Sequence, residues 1–290
     1  MDKGDLSLEG QAAVVTGGGG GIGRAIALCF AGHGADVCIV DVIPERAQEA
    51  AERVRETGRR ALAVAANVMD TEALRAAVDS AAAEFGRLDI LVNNAGGVSR
   101  RAFADLSEKN WRRHIDLNLV STLTATHTAI PHMVAGKKGG AIINVTSIEG
   151  SRAAPGYAVY AACKAGINNL TRTLAVELAD ENIRVNAIAP DFTETPGTRG
   201  NFTGPVDKST WHQPSPAQVT QLHRRIPAGR PGIDAECGHL AVFLASRMAN
   251  YITGTIIPID GGTWGSGGWV RTPESKGKGT DWMLPPDILA

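Results

Sequence analysis

The chain has 290 residues, 43% of them hydrophobic and 20% charged, which supplies a substantial core and excludes a disordered protein. Its 29 Lys and Arg residues balance 30 Asp and Glu residues, so there is no basic surplus to hold nucleic acid or an anionic membrane. The N-terminal sequence lacks a signal-peptide core, and no apolar stretch approaches the roughly 18 residues of a membrane span. The four cysteines include no CxxC motif. We therefore expect a cytoplasmic protein with reduced thiols.

Short β-branched runs alternate with longer helical patterns over most of the chain. The predicted strands are Ala12–Thr16, Asp36–Asp41, Ala61–Ala65, Asp89–Val92, Ala141–Val145, Arg184–Ile188 and Gly254–Asp260. Apolar residues at spacings of three and four predict helices between them, among which are Ile22–His33, Glu45–Thr57 and Thr71–Phe85. Strands separated by helices of this length need parallel pairing and crossover connections. We therefore predict a single α/β domain with a doubly wound, seven-stranded parallel sheet flanked by helices.

One long segment interrupts this alternation before the last strand. Residues 191–227 are rich in Pro, Thr and Gly, and only Pro216–His223 has helical spacing there. Long loops in a domain are often lids or binding loops. We interpret 191–227 as a substrate lid whose Phe192, Phe202 and Trp211 form an apolar wall of the substrate pocket.

The final segment, 264–290, contains three of the five tryptophans. A disordered tail rarely carries so many large apolar side chains, so we expect at least part of this segment to dock on the pocket or on a neighbouring subunit. The predicted organisation is one domain over residues 1–263, including the lid, followed by a C-terminal extension.

A glycine-rich run follows the first predicted strand directly and leads into a helix. It reads TGGGGGIG over residues 16–23. Glycines allow a tight turn and the close approach of a pyrophosphate, whose charge then faces the N-terminus of the helix. A poly-glycine run can match such a pattern by accident. Its place between a strand and a helix, at the start of a βαβ series, favours a dinucleotide site over a merely flexible loop.

Asp41 ends the second predicted strand and bears on the choice of dinucleotide. A carboxylate there can accept hydrogen bonds from both hydroxyls of an adenosine ribose. It would also repel the 2′-phosphate of NADP, by roughly 4 kcal/mol for charges ~4 Å apart at an effective dielectric constant of ~20. The glycine-rich run has no Lys or Arg before Gly23 to hold that phosphate. The alternative is that Asp41 only caps the next turn, but the pattern favours NAD.

Tyr160 and Lys164 are four residues apart, which places them on one face of a helix. A tyrosine with a pKa of ~10 is a poor base near neutrality, but a neighbouring lysine cation and a positively charged nicotinamide ring both favour the phenolate. Such a tyrosine can take a proton from an alcohol or return one to a ketone. Ser147 follows a predicted strand and can hydrogen-bond the same substrate oxygen.

Taken in order, these motifs resemble the short-chain dehydrogenase/reductase family over almost all of residues 7–263. The matching elements are the glycine-rich run, the sequence NNAG from Asn93, the late sequences RVNAIAP and IDGG, and Asn118, Ser147, Tyr160 and Lys164. The resemblance implies a Rossmann-type sheet, a nicotinamide cofactor and a Ser-Tyr-Lys-Asn catalytic set, commonly in a homotetramer. The short Tyr–Lys spacing argues against the enoyl reductases of the family, which typically have a longer one.

The resemblance assigns a role to each matching residue. Tyr160 would be the acid/base, Ser147 would polarise the substrate oxygen, and Lys164 would bind the nicotinamide ribose. Asn118 would hold a water that passes the proton onward. The expected cofactor contacts are Gly17, Gly20, Gly21, Ile22, Gly23, Asp41, Val42, Asn67, Val68, Asn94, Ala95, Gly96, Tyr160, Lys164, Pro190, Thr193 and Thr195. The expected substrate contacts are Ser147, Glu149, Tyr157, Tyr160, Asp191 and Phe192.

Three residues depart from the pattern of the family. Asn67 stands where the family usually has an Asp near the adenine, and its amide can still pair with the base. Asp191 replaces a Gly after Pro190, and Glu149 occupies a position that often has a small side chain. If Glu149 and Asp191 face the pocket, we expect them to favour a cationic or hydroxyl-rich substrate; otherwise they are surface carboxylates.

The resulting hypothesis is NAD-dependent oxidation of a secondary alcohol, or reduction of the matching ketone. The aromatic lid suggests a bulky cyclic, aryl or steroid-like substrate. Alternatives are a ketoacyl-thioester reductase, which commonly uses NADPH, and a sugar or polyol dehydrogenase. A nucleotide-sensing protein without turnover is disfavoured because the catalytic Tyr and Lys are both present. The seven histidines show no metal-ligand spacing, so no metal site is expected.

Overall fold

Apolar runs along the chain form the strands, and the amphipathic segments between them form the helices. The computed structural model describes residues 3–272 and 282–284. The strands are β1 (Ala12–Thr16), β2 (Asp36–Asp41), β3 (Ala61–Ala65), β4 (Ile90–Asn93), β5 (Gly140–Val145), β6 (Ile183–Pro190), β7 (Thr193–Glu194), β8 (Gly232–Ile233), β9 (Ile256–Ile259), β10 (Val270–Arg271) and β11 (Trp282–Met283). The helices are α1 (Gly21–Gly32), α2 (Pro44–Arg55), α3 (Thr71–Phe85), α4 (Glu108–Ile115), α5 (Ser121–Gly136), α6 (Ala158–Glu177), α7 (Pro216–Arg225) and α8 (Asp234–Ala245).

Seven of these strands form one sheet in the order β3-β2-β1-β4-β5-β6-β9, and every pairing in it is parallel. This confirms the predicted doubly wound α/β fold of Rossmann type. The chain builds outward from β1 to β3 and then restarts on the other side of β1 with β4. Ligands of such sheets bind at this reversal, beyond the carboxyl ends of the strands.

The two faces of the sheet carry separate hydrophobic cores because successive side chains of a strand point to opposite faces. Val15 of β1 packs in one core with Phe30 of α1 and Val242 of α8. Its neighbour Val14 packs in the other core with Leu74 of α3. Helices therefore cover both faces, and only the ends of the strands remain open to a ligand.

The observed element boundaries differ from the predicted ones at several ends. β6 extends beyond the predicted Ile188 because its last residues continue to pair with β9. β9 begins later than predicted because Gly254 has a φ of 76°, which an extended strand does not adopt. α7 continues past the predicted His223 to Arg225.

The described part of the C-terminal extension docks at the base of the lid. The guanidinium of Arg271 donates to the carbonyl oxygens of His223 and Ile226, at 2.6 and 2.9 Å, and to that of Pro227. β10 pairs antiparallel with β11, which brings Trp282 to 4.8 Å from the Arg271 guanidinium. Docking on the pocket or on a neighbouring subunit stays a prediction, and the rest of the predicted extension lies outside the described residues.

Across residues 3–272 and 282–284, no helix combines the length and the apolar character needed to cross a membrane. All four cysteines are free thiols.

A buried polar cluster connects the centre of the sheet to two helices. The Asn93 amide on β4 donates to Asn144 Oδ1 on β5 at 2.8 Å and to the hydroxyl of Thr126 on α5 at 2.9 Å. The Asn144 amide in turn donates to the hydroxyl of Thr171 on α6 at 2.9 Å. Because these groups have no access to water, the cluster fixes α5 and α6 relative to the strands.

Asn144→Ala should lower the free energy of unfolding by roughly 2 kcal/mol, because it leaves the Asn93 amide with one partner fewer in a buried site. Urea denaturation followed by circular dichroism measures the change. Asn250→Ala is the matched control, since that side chain is exposed and makes no hydrogen bond within the described part of the chain. Equal losses in both variants would contradict a structural role for the cluster.

Candidate active site

The carboxyl edge of the sheet contains two adjoining cavities. The first, called here the glycine-loop cavity, has a volume of about 350 Å³ and lies over the loop from β1 to α1. The second, the tyrosine cavity, has a volume of about 400 Å³ and lies over Ser147, Tyr160 and Lys164. The two form one continuous cleft because they share the lining residues Ile22, Asn94, Gly96 and Thr195.

The glycine-rich run brings bare backbone to the floor of the glycine-loop cavity. Gly21 has a φ of 51°, and a Cβ there would lie 2.9 Å from the Cβ of Thr195. A Cβ on Gly23 would lie 2.2 Å from the carbonyl oxygen of Gly17, so glycine allows α1 to approach β1 closely. α1 begins at Gly21 without a side-chain cap. Its first N–H groups therefore remain available to an anion in the cavity.

The carboxylate of Asp41 caps the turn after β2 and also faces the glycine-loop cavity. Its Oδ1 accepts the N–H of Ile43 and its Oδ2 accepts the N–H of Gly19, each at 2.9 Å. Asp41 is half-buried and lines the cavity. Since an ionised carboxylate has about four acceptor sites, roughly two remain for a ligand.

Asn94 joins the loops that follow β1 and β4. Its side-chain amide donates to the carbonyl oxygens of Thr16 and Gly17, both at 3.0 Å. The N–H groups of Asn94 and Ala95 bond the hydroxyl of Thr16 at 3.0 and 3.1 Å. The two loops are thus held together where the two cavities meet.

Asn118 lies in a π-helical turn, Asp116–Val120, between α4 and α5. Its Nδ2 donates to the carbonyl oxygens of His114 and Gly97 at 3.0 Å, and its Oδ1 accepts the N–H of Gly97 at 3.1 Å. A Cβ on Gly96 would lie 2.9 Å from this Oδ1. These contacts fix a fully buried amide at the floor of the tyrosine cavity, and π-turns of this kind are frequent at functional sites.

Ser147, Tyr160 and Lys164 meet because β5 leads into the serine and one face of α6 carries the other two. Ser147 Oγ donates to the carbonyl oxygen of Pro190 at 3.3 Å. Lys164 Nζ donates to the carbonyl oxygen of Val145 at 2.8 Å and lies 5.6 Å from the centroid of the Tyr160 ring. Ser147 is thereby held against the end of β6 and Lys164 against the end of β5, with the Tyr160 ring beside the lysine.

Burial changes the acidity of both helical side chains. Loss of hydration lowers the pKa of Lys164 from 10.5 to about 8. It raises the pKa of Tyr160; a hydrogen bond with Ser147 acts in the opposite direction, and the negative charge of Glu149 adds to the increase. The lowered tyrosine pKa expected from the sequence depends on the lysine cation together with a positively charged nicotinamide ring, so it stays a prediction for the cofactor-bound protein.

Glu149 and Asp191 both face the tyrosine cavity, but each is paired with an arginine. Arg152 binds Glu149 at 2.8 Å and lies 4.0 Å from Asp191, while Arg225 on α7 lies 3.2 Å from Asp191. The two guanidinium groups balance the two carboxylates. The expected preference for a cationic substrate thus loses its electrostatic basis, whereas a hydroxyl-rich substrate remains compatible with these side chains.

Every predicted site residue except Gly23 lines one of the two cavities. Gly23 packs beneath the loop instead. The sequence did not identify Arg46, Arg152 or Arg225 as site residues. No motif marks them, because they come from α2, from the segment after β5 and from the lid. Long-range contacts bring Arg46 and Arg225 to the cleft, and Arg152 reaches its edge through Glu149.

The lid crosses both cavities, which corrects the expectation that its aromatic residues share the substrate pocket. Phe192 lines the tyrosine cavity, Phe202 lines the glycine-loop cavity, and Trp211 lines neither. The cause is Arg46 of α2, whose guanidinium binds backbone carbonyl oxygens of residues 201–204. This contact draws that part of the lid over the glycine loop.

The sheet, the glycine loop and the Ser-Tyr-Lys-Asn cluster define an oxidoreductase of the short-chain dehydrogenase/reductase type, and the chain belongs to that family. Residues 17–263 match a family model described as enoyl-(acyl carrier protein) reductase. The chain is 38% identical over 257 residues to oxidoreductase UcpA of Escherichia coli (strain K12), covering 88% of this chain and 95% of that protein. It is 37% identical over 257 residues to the 3-oxoacyl-[acyl-carrier-protein] reductase FabG of Thermotoga maritima, covering 89% and 99%. It is 40% identical over 253 residues to cis-4-hydroxycyclohexanecarboxylate dehydrogenase of Sinomonas cyclohexanicum, covering 87% and 96%.

Solved structures agree with this assignment. A putative short-chain alcohol dehydrogenase from Sinorhizobium meliloti superimposes with a TM-score of 0.81 at 37% identity, covering 90% of this chain and 99% of that one. Carveol dehydrogenase from Mycobacterium avium in complex with NAD gives 0.79 at 31% identity, covering 88% and 98%. A putative 2-deoxy-D-gluconate 3-dehydrogenase from Agrobacterium tumefaciens with bound NADP gives 0.77 at 32% identity, covering 91% and 100%. The family therefore binds a nicotinamide cofactor, in either form.

Lys164→Met should stabilise the folded protein at neutral pH. A pKa lowered from 10.5 to about 8 corresponds to roughly 3 kcal/mol of unfavourable burial of the ammonium, offset in part by its hydrogen bond to Val145. Because the lysine pKa is lower in the folded state than in the unfolded state, this penalty is complete below about pH 8 and fades as the pH rises towards the unfolded value. The variant should therefore gain roughly 1–3 kcal/mol at about pH 7 and less at about pH 9.5.

Urea denaturation at the two pH values measures this gain, with Lys138→Met, at an exposed turn, as the matched control. A Lys164→Met protein that is less stable than the wild type at about pH 7 would contradict the penalty.

Proposed function

We propose that the protein is an NAD-dependent oxidoreductase that interconverts a secondary alcohol and the matching ketone by direct hydride transfer. One observation carries the proposal: the cluster of Asn118, Ser147, Tyr160 and Lys164 lines a cavity that continues into the glycine-loop cavity. An acid/base group next to a dinucleotide-sized cleft suits a reaction in which a proton and a hydride move at the same C–O unit.

The residues of the cleft fit a nicotinamide dinucleotide. The uncapped start of α1 and the bare glycine backbone suit the pyrophosphate, and Asp41 has acceptor sites for the adenosine ribose. Asn67 and Val68 would border the adenine, and Lys164 would hold the nicotinamide ribose. The nicotinamide ring would lie beside Pro190, Thr193 and Thr195. When bound, the cofactor supplies the carbon that accepts or releases hydride, which no side chain provides.

Tyr160 moves the proton at the substrate oxygen. Its phenolate accepts the hydroxyl proton during oxidation, and its phenol returns a proton during reduction. Burial opposes the phenolate, so the neighbouring groups that favour it decide the rate near neutrality. With a pKa of about 8, Lys164 is mostly protonated at pH 7, so its ammonium places a positive charge 5.6 Å from the centroid of the Tyr160 ring.

Ser147 and Asn118 position the groups around this proton. Ser147 follows β5 at the floor of the tyrosine cavity, where its hydroxyl can orient the substrate oxygen beside the phenol. Three backbone contacts fix Asn118 in place, and the family resemblance gives it the role of holding a water that passes the proton onward.

The preference for NAD rests on Asp41. Its carboxylate faces the cavity with acceptor sites left for ribose hydroxyls and would repel a 2′-phosphate. The bound NAD of the carveol dehydrogenase supports this choice, and the bound NADP of the gluconate-type enzyme supports its rival.

The shape of the tyrosine cavity supports a fairly bulky, partly apolar substrate. Apolar side chains line it beside the polar floor, among them Val98 and Phe192, and Tyr157 adds a wall. The names of carveol dehydrogenase and cis-4-hydroxycyclohexanecarboxylate dehydrogenase point to cyclic alcohols in those relatives. A cyclic secondary alcohol is accordingly the substrate class that we propose.

A second candidate is reduction of a ketoacyl thioester, which the likeness to FabG of Thermotoga maritima favours. Asp41 argues against ketoacyl-thioester reduction, because such reductases commonly use NADPH and the carboxylate would repel the 2′-phosphate. A homotetramer and a cytoplasmic location remain predictions from the family and the composition.

Absorbance of the reduced nicotinamide tests the proposal directly. Purified protein is offered NAD or NADP with cyclic, aryl, steroid, amino and polyol secondary alcohols. We expect turnover with NAD, and Tyr160→Phe should lower kcat by roughly 10²–10⁴-fold while NADH binding persists, because the general acid/base is lost. Tyr157→Phe is the matched control: it removes a phenol from the same cavity but not the one beside Lys164.

The outcomes separate the alternatives. Turnover with NADP alone would refute the role given to Asp41. Turnover of ketoacyl thioesters but of no cyclic alcohol would favour the second candidate. NADH binding without turnover of any substrate would favour a nucleotide-sensing protein.

Glu149→Gln should shift the pH profile of alcohol oxidation towards acid. The Glu149 charge raises the pKa of Tyr160, and oxidation needs the phenolate, so removal of this charge should let the rate rise at lower pH. Initial rates with saturating NAD measure the profile. Glu177→Gln, at the exposed far end of α6, is the control. An unchanged or alkaline-shifted profile in Glu149→Gln would contradict the electrostatic contact.

A further inference from the structure

Arg46 on α2 is a buried arginine that contacts backbone rather than carboxylates. Only 7% of the residue is exposed. Its Nε donates to the carbonyl oxygen of Gly204 at 2.6 Å, and its Nη2 donates to those of Asn201 and Thr203 at 2.8 and 3.4 Å. One edge of the guanidinium thus binds the lid in three places.

Within residues 3–272 and 282–284, the guanidinium of Arg46 forms no salt bridge, although Asp41 lies on the same side of the glycine loop. Neutral carbonyl oxygens satisfy donors but do not cancel a charge, and buried charges are normally paired. The site therefore suits an anion that comes from outside the chain.

The other edge of the guanidinium faces the glycine loop. Nη1 makes no hydrogen bond among the described residues, and a Cβ placed on Gly20 would lie 3.6 Å from it. Arg46, Gly20 and Asp41 line the same glycine-loop cavity. The donor left over from the lid contact therefore lies beside the part of the cleft proposed for the anionic half of the cofactor.

We propose that Arg46 binds a phosphate group of the dinucleotide through Nη1 while it holds the lid through Nε and Nη2. This inference rests on the proposed function, since it needs a dinucleotide in the cleft. A fork of five donors can serve both partners at once, which a lysine ammonium at the same place cannot do. The phosphate is either the pyrophosphate, common to both cofactors, or the 2′-phosphate of NADP.

The double contact links cofactor binding to the position of the lid. A phosphate that pairs with Nη1 stabilises the guanidinium in the orientation that also binds residues 201–204. By thermodynamic linkage, an ordered lid then strengthens cofactor binding by the same factor. Phe202, exposed to 72% and lining the glycine-loop cavity, would be held over the cofactor as a result.

Binding of defined nucleotides to Arg46→Gln and Arg46→Lys tests the proposal. The probes are NADH, NADPH, 5′-ADP and 2′,5′-ADP, titrated by fluorescence or calorimetry against the wild type. A charge-assisted hydrogen bond of this kind corresponds to a loss of about tenfold in affinity in Arg46→Gln. Arg53→Gln on the same helix is the matched control, because that arginine is exposed and paired with Glu56.

The probes distinguish the two phosphates. Weakening of NADH and 5′-ADP identifies the pyrophosphate, whereas weakening of NADPH and 2′,5′-ADP alone identifies the 2′-phosphate. In either case Arg46→Lys, which keeps the charge, should recover most of the lost affinity. An Arg46→Gln protein that binds all four probes within about twofold of the wild type would overturn the proposal. An Arg46→Lys protein that binds the probes as weakly as Arg46→Gln would also overturn it, because an arginine that only anchors the lid depends on the guanidinium fork and not on the charge.

Hydrogen exchange of residues 199–206 tests the linkage to the lid. Saturating NADH should slow exchange there in the wild type and fail to do so in both Arg46 variants. Equal slowing in all three proteins would refute the linkage. A wild type that binds neither NADH nor NADPH would instead overturn the proposed function, and this inference with it.

Discussion

Parallel pairing imposes the constraint on which the cleft depends, because each crossover returns the chain so that all seven strands end at one edge of the sheet. The glycine loop follows β1, Asn94 follows β4, Ser147 follows β5 and Pro190 ends β6. Residues far apart in sequence therefore become neighbours because their strands end at the same edge, and no specific contact between their side chains is needed. The reversal of strand order between β1 and β4 then keeps this edge open at its centre, where helices would otherwise cover it.

Contacts with the strand ends convert this proximity into fixed geometry. The buried Asn93–Asn144–Thr171 chain connects β4 and β5 to α6, the helix that carries Tyr160 and Lys164. Lys164 reaches back to the carbonyl oxygen of Val145 at the end of β5. The π-turn before α5 holds Asn118 against the loop after β4, where its side chain bonds Gly97. Lys164 and Ser147 are thus attached directly to the ends of β5 and β6, and a change in the packing of α6 would therefore alter the geometry of the tyrosine cavity.

The sequence predicts the sheet and most of the cleft because both depend on local patterns: period-two strands, period-three-to-four helices, and glycines where backbone must approach closely. It does not predict the path of the lid. That path depends on Arg46 and carbonyl groups more than 150 residues away, and no pattern in the sequence marks such a pair. For the same reason Phe202 lies over the glycine loop and not beside Phe192. The sequence also does not reveal that burial raises the pKa of Tyr160, because burial is a property of the assembled fold, whereas the YxxxK spacing shows only the neighbouring cation.

Lys164 and Arg46 place two buried positive charges along the cleft. Both cations are buried, one at each end of the cleft, and neither forms a salt bridge in the described chain. Lys164 responds by a pKa lowered to about 8, whereas an arginine cannot lose its proton and must find a counter-charge. In the proposed complex a phosphate of the dinucleotide would supply the counter-charge for Arg46, whereas Lys164 would stand beside the nicotinamide ribose and keep the cost of its burial. Substitution of Arg46 is therefore expected to change cofactor affinity, and substitution of Lys164 is expected to change the stability of the fold.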